Sequence, residues 1–308
     1  MPDSPQDFCT CKFLLSIKNI PPFYVFVFRR FFMKITSFLL RLKLQKNIGY
    51  VKMLRVASQL NVDEVTISTI KNLDLTNSLI KTCINAYNDM RADKMIKRVE
   101  KQCQIISFFD SEYPENLRQI YQPPLILFLQ GNVQLLQKNI VTIVGSRQAT
   151  NYSSTVLNKI VPNLIKNDYV IASGLAKGVD VMAHKAALKY HGQTIAVVGN
   201  GLNHFYPMVN CHVQEQIAQK GLIVSEYLPD TPPKPFRFPQ RNRILAGIAE
   251  SVIVTEAKQK SGSLITANLA LQENRNIYAV PGPITSELSQ GPNKLIQAGA
   301  YPITDFDF

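Results

Sequence analysis

The second half of the chain alternates short, continuous apolar runs with longer segments of helical periodicity. The apolar runs predict strands at residues 140–144, 169–172, 194–198, 222–225, 251–255 and 276–280. The segments between them predict helices near residues 152–166, 178–190, 209–219, 240–249 and 263–273. Strands that are apolar on both faces and alternate with helices are typical of a parallel sheet covered on both sides. The pattern therefore predicts an α/β fold with right-handed crossovers.

The strand predicted at residues 140–144 is followed directly by Gly145, Ser146 and Arg147. Glycine lets a ligand approach the backbone, and a hydroxyl and a planar guanidinium both suit phosphate oxygens. Asn151 is the predicted N-cap of the next helix, whose free amide groups would then face the same anion. On these residues alone, a plain strand-to-helix turn with a solvent-facing arginine fits equally well.

The same kind of ending recurs after the other predicted strands. Small or polar residues follow almost every one: Ser173, Gly174, Lys177 and Gly178; Gly199, Asn200 and Gly201; Ser225 and Glu226; Ser261, Gly262 and Ser263. Ligands of open parallel sheets bind at the carboxyl ends of the strands. We call this edge of the sheet, with the loops that follow its strands, the crest. Recurrence of the pattern favours an anion-binding crest over an isolated turn.

Upstream of the parallel sheet, two further regions differ in pattern. Residues 33–103 carry apolar positions at roughly helical spacing, which predicts a small domain of two to five short helices. β-Branched and aromatic runs at residues 105–109 and 125–129 predict a strand pair that leads into the main domain. We therefore place the main α/β domain at residues 104–308.

Residues 1–32 differ in character from the rest of the chain. The apolar run at residues 23–28 is far shorter than the roughly 18 residues that a membrane-spanning helix needs. The segment also has neither the apolar length nor the cleavage site of a signal peptide. We expect Met33 to be the natural start and residues 1–32 to be an upstream extension, disordered or non-native, whose deletion preserves the fold. The alternative is a short membrane-surface anchor.

The charge balance points to an anionic partner. The 308 residues include 34 Lys and Arg against 22 Asp and Glu, which gives a formal net charge of +12. Such an excess favours nucleic acid or an anionic surface, and because it is spread along the chain, any anion site must be assembled by folding. The five cysteines form no CxxC pair, so reduced thiols and a cytoplasmic location are expected, without a metal.

Familiar nucleotide-binding motifs are missing from these loops. Gly199 and Gly201 do not continue into the dinucleotide-binding fingerprint, and Lys177 precedes a glycine instead of following one as in a phosphate-binding P-loop. A nucleotide-processing enzyme on the same fold would need a carboxylate near a glycine-rich turn, and Glu226 and Glu256 are the candidates.

A structural role is favoured for these carboxylates and also for His184. Glu226 and Glu256 are expected to hydrogen-bond loop amides or to pair with Arg241 or Arg243. His184, four residues after an aspartate, lacks a third ligand for a metal and is expected to be structural.

The chain resembles the DprA/Smf family of DNA-processing proteins over roughly residues 33–303. The motifs that carry the resemblance occur in the family's order: Gly145-Ser-Arg147, Ser173-Gly-Leu-Ala-Lys-Gly-Val-Asp180 with Ala183-His184, Thr194-Ile-Ala-Val-Val-Gly-Asn-Gly-Leu202 with Tyr206-Pro207, Phe238-Pro-Gln-Arg-Asn-Arg243, Ser261-Gly-Ser-Leu-Ile-Thr-Ala267 and Val280-Pro-Gly282. The resemblance implies a small helical (SAM-like) domain followed by an extended Rossmann-like domain with a mostly parallel sheet. Many relatives add a C-terminal winged helix, which we do not expect here.

The resemblance also implies a function. Proteins of this family are homodimers that bind single-stranded DNA, protect incoming DNA during natural transformation and load RecA onto it. For this chain we expect no enzymatic activity and no cofactor. Carried across, the resemblance assigns DNA contacts to Arg147, Lys177, Arg241 and Arg243, with Phe238 as a stacking residue or a core residue. The full predicted nucleic-acid site comprises Gly145, Ser146, Arg147, Ser173, Gly174, Lys177, Gly178, Phe238, Arg241, Asn242, Arg243, Ser261, Gly262 and Ser263.

Two other classes of function remain open on the sequence. One is a nucleotide-processing enzyme on a Rossmann-like fold, which measurable turnover would support. The other is a structural, membrane-associated protein, which depends on residues 23–32. We expect no membrane association, and a comparison of single- with double-stranded oligonucleotides separates these classes.

Overall fold

A computed structural model describes residues 33–306 of the chain. The described chain divides into two compact units, with the division between Asp89 and Met90. The boundary predicted from sequence, between residues 103 and 104, remains a prediction about domains. The expectations for residues 1–32 lie outside the described residues.

The N-terminal unit is helical, as its periodicity predicts. Its helices are α1 (Ile35–Leu44), α2 (Tyr50–Ala57), α3 (Ile67–Lys71) and α4 (Asn77–Asn88), and two short strands, β1 (Met33–Lys34) and β2 (Glu64–Val65), pair antiparallel. Phe38, Leu39 and Leu42 on α1 are fully buried. Arg41 on the same helix is also buried because its guanidinium donates to the carbonyls of residues 86, 87 and 89. Arg41 thereby adds a side-chain donor for carbonyls at and just after the end of α4.

The C-terminal unit begins with α5 (Met90–Glu100) and the predicted strand pair. Strands β3 (Gln104–Ser107) and β4 (Ile126–Gly131) are antiparallel, and the short helix α6 (Glu115–Arg118) lies between them in sequence. β4 then pairs antiparallel with a strand of the main sheet. The strand pair therefore forms one edge of that sheet.

The alternating region folds as its hydrophobic pattern predicts. The strands are β5 (Ile140–Val144), β6 (Val170–Ser173), β7 (Thr194–Val198), β8 (Leu222–Ser225), β9 (Ser251–Val254), β10 (Asn276–Ala279) and β11 (Tyr301–Pro302). The helices are α7 (Asn151–Lys166), α8 (Val179–Lys189), α9 (Cys211–Lys220), α10 (Arg237–Ile248), α11 (Gly262–Gln272) and α12 (Gln290–Gln297). The α/β prediction is confirmed.

Two details of the prediction are wrong. Thr150, not Asn151, is the N-cap of α7, since its side-chain oxygen accepts a hydrogen bond from the amide of Tyr152. Helix α10 begins at Arg237, three residues before the predicted start. Pro239 is tolerated there because the first-turn amides of a helix have no intrahelical partner to lose.

The main sheet has the strand order β11-β10-β9-β5-β6-β7-β8-β4-β3. Every pairing from β11 to β8 is parallel, and β4 and β3 complete the sheet antiparallel. Strand β5 therefore lies at the centre of the parallel part, between β9 and β6. The carboxyl ends of the parallel strands all meet at one edge, which is the crest.

Helices cover both faces of the sheet. On one face, α7 and α8 pack their apolar side chains against Val141 and Ile143 of β5. On the other, α10 and α11 pack against Ile140 and Val144 of the same strand. Because neighbouring side chains of a strand point to opposite faces, a strand between two helical layers must be apolar throughout. This accounts for the apolar run at residues 140–144, in which the one hydroxyl group, that of Thr142, donates to the Leu245 carbonyl at 2.8 Å.

No helix between residues 33 and 306 has the length and apolar character to cross a membrane. The cysteines within those residues, Cys83, Cys103 and Cys211, are free thiols, as expected. Burial raises the pKa of both Cys83 and Cys103 to about 11, so these two thiols stay protonated at neutral pH.

Candidate nucleic-acid interface

Three adjoining cavities open on the crest of the C-terminal unit. Their volumes are about 540, 210 and 290 Å³. Arg147 and Phe238 line all three, so we treat the cavities as one groove. The loops after β9, β5, β6 and β7, which are neighbours in the sheet, surround it. The topology thus brings together residues that are far apart in sequence.

The loop after β5 presents Arg147 to the groove. The backbone amide of Ser146 donates to the Glu256 carbonyl at 2.6 Å, and the Ser146 carbonyl accepts from the amide of Val179 at 3.1 Å. The Ser146 hydroxyl accepts from the amide of Gln148 at 3.0 Å. These bonds fix the loop on both sides, while the Arg147 side chain is exposed and forms no hydrogen bond with the rest of residues 33–306.

Glycine is required where this loop meets the loop after β6. Gly178 has a φ of +76°, a conformation that other residues rarely adopt, and a Cβ there would lie 2.1 Å from the Ser146 carbonyl oxygen. A Cβ on Gly145 would lie 2.4 Å from the side chain of Val179. The two loops therefore pack backbone against backbone.

The loop after β6 divides into a buried part and an exposed part. Ser173 is fully buried and its hydroxyl donates to the Ile143 carbonyl at 2.6 Å. Gly174 is also buried, because the guanidinium of Arg241 occupies the space where a Cβ would be. Lys177 is exposed and lines the 210 Å³ cavity. It forms no hydrogen bond or ion pair with other described residues.

Arg241 lies beneath the groove and is only 5% exposed. Its guanidinium donates to the carbonyls of Gly174, at 2.8 Å, and Val197. Burial lowers its pKa to about 10, and the nearby carboxylate of Asp180 opposes that shift, so the group remains charged at neutral pH. One side chain thus connects the ends of β6 and β7. The structure gives Arg241 a set of protein partners that the sequence pattern did not reveal.

Two further buried titratable groups lie on α8 behind Arg241. Burial raises the pKa of the Asp180 carboxyl, an effect that Arg241 partly offsets. Burial lowers the pKa of His184 to about 3, and its Nδ1 lies 2.7 Å from the hydroxyl of Thr194. Burial and this contact support the structural role expected for His184. Among residues 33–306, no cluster of three His, Cys, Asp or Glu side chains could hold a metal ion.

The two candidate catalytic carboxylates have structural partners, as favoured from the sequence. Glu226 forms a salt bridge of 2.8 Å with Arg243, whose guanidinium also donates to the carbonyls of Gln122 and Gln240. The Glu256 carboxylate accepts hydrogen bonds from the amide and hydroxyl of Thr150, at 2.8 and 2.7 Å. It also accepts from the hydroxyl of a buried serine on α7. Both carboxylates therefore stabilise the loops of the crest.

The far side of the groove is formed by the start of α10 and the start of α11. Phe238 is half-buried and its ring stacks on that of Tyr206. Asn242 donates to the Gly262 carbonyl at 3.3 Å, which joins the two helices. The hydroxyls of Ser261 and Ser263 lie 2.9 Å apart.

Most of the residues predicted from sequence come together in the groove. Those that line the largest cavity are Gly145, Ser146, Arg147, Phe238, Arg241, Asn242, Ser261, Gly262 and Ser263. Gly174 and Lys177 line the 210 Å³ cavity. Ser173, Gly178 and Arg243 line none of the three and support the loops from behind or beside them.

Other residues that line the groove were not in the predicted site. The basic and aromatic ones among them are Tyr206 and Lys234 in the smaller cavities, and Lys258 and Lys260 in the largest. The sequence signal that could have identified them is a basic or aromatic residue within a few positions of a crest loop. Only the fold shows which of the many such residues face the groove.

The sheet is mostly parallel and Rossmann-like, and its crest carries exposed cations and an aromatic pair. These features define a class of α/β proteins that is suited to binding long polyanions. The chain belongs to the family described as DNA recombination-mediator protein A, whose family model matches residues 104–308.

Similar proteins carry names from the same family. The chain is 47% identical over 198 residues to the DNA processing protein DprA of Streptococcus pneumoniae, a match that covers 64% of this chain and 70% of that protein. It is 42% identical over 205 residues to the DNA processing protein DprA of Bacillus subtilis, covering 66% and 69%.

Solved structures agree with this assignment. The X-ray structure of DNA processing protein A from Streptococcus pneumoniae matches with a TM-score of 0.79 and 38% identity, covering 89% of this chain and 96% of that chain. A structure of DNA processing protein A from Helicobacter pylori, described by its single-stranded DNA binding mode, matches with a TM-score of 0.61 and 33% identity over 66% of this chain and 93% of that one.

Proposed function

We propose that this protein binds single-stranded DNA along the groove and acts as a recombination mediator. Membership of the DNA recombination-mediator protein A family supports this function, as does the single-stranded DNA binding described for the Helicobacter pylori relative. The observation that carries the proposal is the placement of Arg147 and Lys177, exposed and without hydrogen-bonding partners among the described residues, beside a half-exposed aromatic pair.

In this proposal the phosphates of the strand bind to the cations of the crest. Arg147 and Lys177 each neutralise one phosphate, and the glycine and serine loops donate backbone and hydroxyl hydrogen bonds to neighbouring phosphate oxygens. Phosphate contacts carry no sequence information, so binding is tolerant of sequence and weakens as salt rises.

The other two arginines of the predicted site have a different part in the proposal. Arg241 and Arg243 hold the groove in shape through their bonds to carbonyls and to Glu226. Their positive charges still add to the potential of the groove, because burial leaves a guanidinium ionised. We therefore assign the direct phosphate contacts to Arg147 and Lys177.

The wider role that we propose follows the family resemblance. The protein protects incoming DNA during natural transformation, loads RecA onto it, and works as a homodimer in the cytoplasm. It does so without a catalytic step, a metal or a cofactor. The contacts of Glu226 and Glu256 support a role without catalysis. Both carboxylates bind protein groups that hold the loops in place, Arg243 and Thr150 respectively.

Binding of matched single- and double-stranded oligonucleotides tests the proposal. Fluorescence anisotropy at several salt concentrations should show a clear preference for the single strand. Arg147→Ala and Lys177→Ala should each weaken binding to all single-stranded sequences about equally and lower the slope of log K against log salt by roughly 0.7.

The matched control is Lys220→Ala. Lys220 is exposed and ends α9 just before β8 begins, so it lies at the edge of the sheet opposite the crest. Its loss should leave the salt slope unchanged. Equal salt slopes for Lys177→Ala and wild type would contradict the proposed phosphate contact. Turnover of a nucleotide that Glu256→Gln abolishes would contradict the proposal and favour the enzyme.

A further inference from the structure

The ring of Tyr206 forms part of the groove wall. Its centroid lies 5.1 Å from that of Phe238, with the two ring planes 29° apart. Tyr206 is 43% exposed. Phe238 covers one face of the ring, and Tyr206 lines two of the cavities, so the exposed part of its side chain borders the groove. An aromatic face is therefore open beside the groove.

Buried amides hold the Tyr206 loop in place on both sides. Asn200 is 1% exposed and donates to the His204 carbonyl at 2.8 Å. Asn210 is 5% exposed and donates to the Leu175 carbonyl at 2.9 Å, in the loop that carries Lys177. The open face is thus presented by a loop that is already ordered, which reduces the entropy lost when a ligand binds.

The ring pair is also held close to the backbone of β7. Gly199 follows β7, and a Cβ there would lie 2.8 Å from the ring of Phe238. Glycine at this position lets Phe238 lie against the chain. Phe238 can then support Tyr206 from behind.

Cations line the same cavities as Tyr206. Tyr206 shares the 210 Å³ cavity with Arg147 and Lys177, and it shares the 290 Å³ cavity with Arg147 and Lys234. Both Lys177 and Lys234 are exposed. An aromatic face between cations is the arrangement by which proteins bind single strands, because bases stack on the ring while phosphates meet the charges.

We propose that Tyr206 is a base-stacking residue, whose open face takes one unpaired nucleobase of the strand in the groove. The base then stacks on Tyr206, which itself stacks on Phe238, and the flanking phosphates contact Lys177 and Lys234. This inference rests on the proposed function and adds a specific contact to it. Every base has a π face, so the contact discriminates single from double strands without reading sequence.

Substitutions at Tyr206 separate stacking from charge. Tyr206→Leu keeps an apolar side chain but removes the ring, and it should weaken binding to an oligothymidylate roughly tenfold, within the range measured for loss of one stacked base. The salt slope should stay at the wild-type value, because no phosphate contact is lost. Tyr206→Phe keeps the ring and should restore most of the affinity. Tyr121→Leu is the control, since that tyrosine is 78% exposed and lines none of the three cavities.

A second measurement reads the contact in the wild-type protein. A 2-aminopurine placed in the oligothymidylate is quenched when it stacks, and the chain has no Trp to add background emission. Wild type and Tyr206→Phe should quench the probe further on binding, whereas Tyr206→Leu should leave it brighter.

Three results with the Tyr206 variants would overturn the inference while the proposed function stands. They are unchanged affinity in Tyr206→Leu, a loss in Tyr206→Phe as large as in Tyr206→Leu, and a lowered salt slope in Tyr206→Leu. Absence of quenching in the wild-type complex would do the same. Failure of the wild-type protein to bind single strands would overturn both proposals.

Discussion

Replacing Arg241 by methionine tests whether this arginine maintains the groove or binds DNA. Methionine fills a similar volume without hydrogen-bond donors. The change leaves the carbonyls of Gly174 and Val197, at the ends of β6 and β7, without the guanidinium that now joins them. It also leaves the buried Asp180 without the cation that offsets its desolvation.

The size of the effect follows from these contacts. A buried polar group that loses its partner costs about 1–3 kcal/mol, so two carbonyls give about 2–6 kcal/mol. Taking about 3 kcal/mol as a working value, the melting temperature of a domain of about 150–250 residues falls by roughly 6–12 °C. Arg147→Ala removes an exposed side chain instead, and should change stability by less than about 0.5 kcal/mol.

Thermal melting and salt-dependent anisotropy together distinguish the two arginines. Arg241→Met should melt early and bind single strands more weakly. Its salt slope should fall by much less than the roughly 0.7 of a lost phosphate contact, because Arg241 adds to the potential of the groove without contacting a phosphate. Arg147→Ala should melt like wild type, bind single strands more weakly and lose roughly 0.7 from its salt slope. If Arg241→Met melted like wild type and lost roughly 0.7 from its salt slope, Arg241 would be a phosphate contact and the structural interpretation would be wrong.

Two further outcomes are expected. Gly178→Ala should destabilise the protein by at least about 1 kcal/mol, because Gly178 has a positive φ and a Cβ there would contact Ser146. A Cβ at Gly262 would meet nothing within 4 Å, so Gly262→Ala should melt like wild type. Equal melting of the two variants would refute the close packing of the loops. Stability should fall as pH drops from about 6.5 towards 3, because the unfolded chain protonates His184 while burial holds its folded pKa at about 3. Denaturant unfolding between pH 6.5 and 4.5 should show a smaller loss of stability with falling pH in His184→Leu than in wild type. The raised pKa of Asp180 has the opposite effect on stability, and it does so in both proteins. An equal loss of stability in the two proteins would refute the role of His184.

The sequence predicted the strands well because their signal is local. A continuous apolar run that ends in glycine or a polar residue needs no knowledge of its neighbours, and β5, β7 and β8 have the predicted bounds. The N-cap of α7 was harder because Thr150 and Asn151 are both good capping residues. Which of the two residues caps the helix depends on Glu256, which lies just after the carboxyl end of β9 and accepts a hydrogen bond from Thr150.

The roles of the arginines could not be predicted from sequence. Arg147, Arg241 and Arg243 all lie in motifs near strand or helix ends, and the pattern treats them alike. Their burial depends on which strands are neighbours and on where α10 begins, three residues earlier than its pattern indicates. Tyr206 was overlooked for the same reason, because its open face exists only once Phe238 from α10 packs behind it.

The placement of β5 beside β9 has a consequence for how the chain acquires its activity. Thr150 and Glu256 meet across this junction although 106 residues separate them in sequence. Contacts of such long range form slowly, since much of the chain must be ordered before they gain any energy. On the ribosome, the groove cannot close until α11 has emerged. The complete groove is therefore available only when synthesis of the domain is nearly finished.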